Sequence, residues 1–174
     1  MSLPQDMKAI LRIVEDPDLA DEHRTLAAGA LLHVLSGQNA IPGMRGMLAY
    51  VDDVIVLRLV LERLEKAAPE VMAQHREDSP ELMEPLERQM QAVRAYLGEL
   101  LAVLDTAVDG MPNLNHQGHA AGQCARDLVL VEVELVDQRL VHRVVEPGAR
   151  LLVARELKNV DTIKRPLELR LATP

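Results

Sequence analysis

The chain has no phenylalanine and no tryptophan, and Tyr50 and Tyr96 are its only aromatic residues. A core must therefore be assembled from leucine, valine, isoleucine, alanine and methionine. A platform of rings for stacking single-stranded nucleic acid is excluded. Basic residues are also scarce: 19 Lys and Arg stand against 27 Asp and Glu, a net charge of −8. That balance opposes binding to phosphate backbones and predicts no nucleic-acid partner. The single cysteine, Cys124, excludes an intrachain disulfide and suits a reducing compartment. Met1 to Asp6 lack the basic and apolar regions of a secretory leader. The most apolar run, Met47 to Leu61, is interrupted by Asp52, Asp53 and Arg58. It falls short of the roughly 20 apolar residues of a membrane span, so no integral insertion is expected. These features predict a cytoplasmic protein.

What is present is a globular composition. The chain has 174 residues, 48% hydrophobic and 26% charged, enough to bury a core. Residues 1–110 carry a net charge of −9 and residues 111–174 a net +1. Apolar spacing changes at the same place, from helical to alternating.

The pattern predicts about five helices before Gly110. The first covers 4–15, with Leu3, Met7, Ile10, Leu11 and Val14 on one face. Asp16 and Pro17 open the second as cap and first residue, and Gly37 ends it. Leu19, Leu26, Ala30, Leu31 and Val34 line its inner face. Glycines and Pro42 mark Ser36 to Gly46 as a loop. A third helix, 47–66, is apolar around most of its circumference at first and should be central. A short helix runs from Pro69 to about Glu77. A long one runs from 81 or 85 to 107, with Pro85 at a kink or at its true start.

Residues 109–125 read as a loop. Alternation then predicts strands over 127–136, 139–146 and 150–157, and a fourth at Leu167, Leu169 and Leu171, with Pro166 confining it to an edge. The expected fold is α+β: an irregular helical bundle over 1–110, a loop over 111–125, and an antiparallel meander of three or four strands over 126–174 sharing the same core. Such a meander has open edges, which packing on the helices or pairing with a second copy of the chain would cover, and a homodimer is expected.

Asp52 and Asp53 are the sharpest chemical feature. Carboxylates in an apolar helix need partners. One reading makes them, with Asn39, a polar or divalent-metal site, since oxygen ligands suit hard cations. The other gives one aspartate the backbone N–H groups of the Ser36–Gly46 loop. His33, at an apolar position, reads as a core histidine bonded to a backbone group or to Asp53. His116, His119 and Cys124 have ligand types right for zinc but lack a fourth ligand nearby. No nucleophile elbow, dinucleotide fingerprint or phosphate loop is present, so no catalytic residue is assigned.

The run Leu31 to Leu64 resembles the YkvA-like domain of unknown function, a widespread bacterial family. Ser36 falls at the serine of the family's Ser-Pro-Ile-Asp-Leu-Ile-Pro-Asp type of loop, Asn39 at its first aspartate and Pro42 at its second proline. Tyr50, Asp52 and Asp53 match the Gly-Tyr-Leu-Asp-Asp sequence that opens the next helix. Gly37, Gln38, Gly43, Gly46 and Ala49 depart from the pattern. The resemblance covers about 24–65 and implies no reaction. The expectation for function is a non-enzymatic interaction or scaffold protein. The alternatives are a metal-binding protein or metal-dependent enzyme using Asp52 and Asp53, and a peripheral membrane-associated protein.

Overall fold

Two helices with fully buried middle turns lie at the centre of the described residues. In the computed structural model, which describes residues 3–127 and 161–172, α2 (Asp21–Ser36) and α3 (Met47–Ala67) lie against each other, and α1 (Leu3–Glu15) packs on both. Every residue of α3 from Asp52 to Leu61 is buried, as its all-round apolarity predicts. In α2 the run Ala27 to Leu35 is buried as well, a wider burial than a one-sided stripe implies. The reason is size. Ala27, Ala28, Gly29 and Ala30 let neighbours approach from several sides. A Cβ built on Gly29 would stand 2.2 Å from the Met111 carbonyl oxygen, so the backbone around Met111 requires a glycine there.

The Asp16–Pro17 signal is used differently from the expectation. Asp16 Oδ1 accepts the Asp18 N–H at 2.8 Å in a tight turn, and α2 starts only at Asp21. The other carboxylate oxygen lies 2.7 Å from His75 Nε2 in α4 (Pro69–Asp78). Asp16 thus ties a turn to a distant helix instead of capping the next one.

The long helix expected over 81 or 85 to 107 is divided. A short α5 (Pro80–Met83) precedes α6 (Leu86–Leu97), with Pro85 at the boundary. A 3-10 turn, Gly98–Leu100, leads into α7 (Leu101–Gly110). Gly98 has φ of +56°, a conformation that no helix interior accommodates and that glycine adopts without strain. The apolar stripe continues through the break: Leu86, Met90, Leu97, Leu100, Leu104 and Val108 are all buried.

Residues 109–125, expected as a loop, contain a 3-10 turn at Met111–Asn113, the hairpin strands β1 (Asn115–His116) and β2 (His119–Ala120), and α8 (Ala121–Cys124). This antiparallel pair is the sheet found among the described residues. The architecture is mostly helical with a small sheet. The strands expected over 127–136, 139–146 and 150–157 lie, apart from Asp127, outside the described residues. The fourth strand is corrected. Asp161–Leu171 forms a helix, α9, with Pro166 inside it. Leu167 is fully buried while Leu169 and Leu171 are exposed. Alternating leucines over so short a run do not separate strand from helix, and packing against α7 and the Gly98–Leu100 turn decides the outcome.

Candidate functional site

The polar centre forms where the end of α2 meets the second turn of α3. The intervening loop returns the chain so that residue 33 faces residues 52 and 53. Ala40, Ile41 and Met44 of that loop are buried. Burying them takes their backbone N–H groups out of water, and each then needs an acceptor. Asp52, fully buried, supplies both for the first two: Oδ2 accepts Ala40 N–H at 2.9 Å and Oδ1 accepts Ile41 N–H at 2.8 Å.

His33 lies in the last turn of α2 and is buried. Its Nε2 stands 3.6 Å from Asp52 Oδ2, too far for a hydrogen bond, and that nitrogen has no other hydrogen-bond partner. Asp53 is buried beside them. Burial, and then the neighbouring Asp52 charge, push its carboxyl up to about 7, while His33 acts weakly in the opposite direction. One ligand atom from each of His33, Asp52 and Asp53 lies within 4.8 Å of the others. Imidazole nitrogen and carboxylate oxygen are donors that can hold a metal ion or share a proton.

Asn39 lies in the loop that Asp52 holds. Its Nδ2 donates to the Met44 carbonyl at 3.0 Å, bracing the loop from within. His116 and His119 sit opposite each other in the β1–β2 hairpin, and Cys124 is fully buried in α8. Among the described residues they form no cluster of metal-ligand geometry; the one that does is His33, Asp52 and Asp53.

Further polar contacts, buried or partly buried, escape a reading of local spacing. Arg58 of α3 lays its guanidinium on Asp6 of α1, Nε to Oδ2 at 3.0 Å and Nη2 to Oδ1 at 3.2 Å. Burial raises the Asp6 carboxyl against the pull of Arg58. Arg24 donates to the carbonyls of Val14 at 2.8 Å and Ala125 at 2.6 Å. Arg170 of α9 donates to the Ala40 carbonyl at 2.9 Å. An Asp at an inward position of α1 is a usable signal for the first pair. Partners 101 and 130 residues away in sequence leave none for the other two.

A surface cleft of about 610 Å³ lies near α3, α4 and α6. Five of its charged side chains are paired with one another, Glu62 with Arg94 and Lys66, and Glu65 with Arg76. Among the described residues no helix is long and apolar enough to cross a membrane. The chain matches no protein-family model, no curated protein and no solved structure.

Proposed function

We propose that this chain is a non-enzymatic interaction or scaffold protein that works as a homodimer. The observation that carries the reading is the use of Asp52: both oxygens hold the backbone of the loop between α2 and α3. Arg24 and Arg170 are spent in the same way, on backbone carbonyls that join distant elements. At Asp52, Arg24 and Arg170 the charged side chain maintains shape.

The surface for a second copy is the outer side of α9. Leu169 and Leu171 are 64% and 50% exposed. Leu171 also lines a cleft of about 450 Å³, together with Ala102, Val103, Thr106, Ala107 and Arg170. Exposed leucines beside a cleft of mixed polarity give one surface that both copies can present, which a two-fold dimer needs. The cytoplasmic location is part of the same reading and rests on the lone cysteine. Kinship with the YkvA-like family over 24–65 is likewise a proposal, supported by Ser36, Pro42, Tyr50, Asp52 and Asp53.

Light scattering over a hundred-fold range of concentration tests the assembly. A dimer that becomes monomeric when Leu169 and Leu171 are both changed to Glu supports the reading. A wild-type monomer at every concentration, or a dimer indifferent to both changes, overturns it.

A further inference from the structure

We propose that His33, Asp52 and Asp53 form a binding site for a divalent first-row transition metal ion, held where α2, α3 and their connecting loop converge. This goes beyond the scaffold reading and does not depend on dimerisation.

Two independent observations carry it. The first is convergence: one nitrogen and two carboxylate groups from two helices bring ligand atoms within 4.8 Å of one another. Atoms that share an ion at about 2.0–2.2 Å stand roughly 3–4 Å apart. The 3.6 Å between His33 Nε2 and Asp52 Oδ2 already falls in that range, and small side-chain shifts bring in Asp53. The second is the state of His33. Its side chain is only 8% exposed, yet Nε2 has no hydrogen-bond partner. A buried polar nitrogen left unmatched is destabilising. A metal ion would accept its lone pair.

Charge favours the same occupant. Asp52 and Asp53 together offset a +2 ion and leave the imidazole neutral, the form in which it ligates. The ion also removes the repulsion between the two carboxylates. Asp52 can ligate while still holding the loop, because each carboxylate oxygen has a second lone pair. The imidazole selects against calcium and magnesium, which prefer all-oxygen sets, and towards zinc, iron or nickel. Three protein ligands leave at least one coordination position for water.

This assignment differs from the sequence expectation in its third member. Asn39 is replaced by His33, which changes the preferred ion from a hard cation to a borderline one.

The test is zinc binding to chelator-stripped wild-type protein, followed by calorimetry and by NMR of the histidine rings. Saturable binding of one zinc ion per chain, a raised melting temperature and a selective shift of the His33 ring are expected. His33→Gln and Asp53→Asn should each weaken binding by about ten-fold or more. Asp52→Asn is unsuitable, because it also releases the loop. Wild-type NMR keeps the test decisive even if a variant fails to fold. Absence of saturable binding by zinc and by nickel overturns the proposal. So does binding that moves His116 or His119 and leaves His33 unchanged, or a His33 ring that stays protonated at neutral pH and ignores zinc.

Discussion

Arg170 donates Nη1 to the carbonyl of Ala40 at 2.9 Å, and the N–H of the same residue is held by Asp52. One loop residue is thus anchored from two directions, by the second turn of α3 and by α9. Arg170→Ala should cost about 1.5 kcal/mol, the low end of the range for a hydrogen bond from a charged group, because Arg170 is exposed. Hydrogen exchange should quicken in residues 38–44 and in α9 while α6 is unchanged. Unaltered exchange in the loop would mean that α9 does not support it.

Asp52→Asn should be much more harmful than its single-atom difference suggests. Asparagine offers one acceptor where two are needed and turns an NH2 group towards a buried N–H. The expected loss is about 2–4 kcal/mol by chemical denaturation, from an unsatisfied buried donor together with a lost charge-assisted bond. A loss below 0.5 kcal/mol would remove Asp52 as the support of the loop.

Asp53 predicts an unusual pH dependence in metal-free protein. Folded, it keeps its proton up to about pH 7, whereas an ordinary aspartate releases it near 3.8. Between those values the unfolded chain binds fewer protons, so stability falls as pH rises. The buried Asp6 carboxyl, also raised, acts in the same direction. Asp53→Asn isolates the contribution of Asp53. Wild type should lose stability relative to the variant from about pH 4 to 7, by a total on the order of 3 kcal/mol. Parallel curves for the two proteins would show that Asp53 titrates normally.

Asp6 and Arg58 form a buried pair whose partners fail separately. Arg58→Met alone should cost about 3–5 kcal/mol, because a carboxyl is left in the core. Combining it with Asp6→Leu should recover most of that loss. A double-mutant cycle measures the coupling, and additive losses would show that the two residues do not depend on each other.

Gly29→Ala tests the close approach of α2 to the segment at Met111. In an unconstrained helix alanine would stabilise by up to about 1 kcal/mol. Here the new methyl group meets a backbone oxygen at 2.2 Å. The thermal midpoint should fall, with a cost of about 1–3 kcal/mol as the backbone shifts. A raised midpoint would show that the two segments separate freely.

Periodic elements were the legible part of this chain. The three-residue and four-residue spacing in α1 anticipates Leu3, Met7, Ile10 and Val14, all buried. The unbroken apolar run of α3 announces a central helix. Local signals with two possible uses were less informative. Asp16 followed by Pro17 reads as a helix start and serves as a turn. Gly98 lies in a continuous apolar stripe and interrupts a helix. Leu167, Leu169 and Leu171 alternate like a strand and form part of α9.

The sequence by itself determined that the core is aliphatic, that α3 is central, and that Asp52 and Asp53 need partners in an apolar setting. Each follows from composition or from periodicity along one helix. Only the tertiary structure decided which partners they meet. Asp52 faces two backbone N–H groups, and His33 stands beside it with an unmatched nitrogen. Those contacts join residues 11 to 19 positions apart across a glycine-rich loop. Its path is set by the burial of Ala40, Ile41 and Met44, and no repeat in the chain encodes that path.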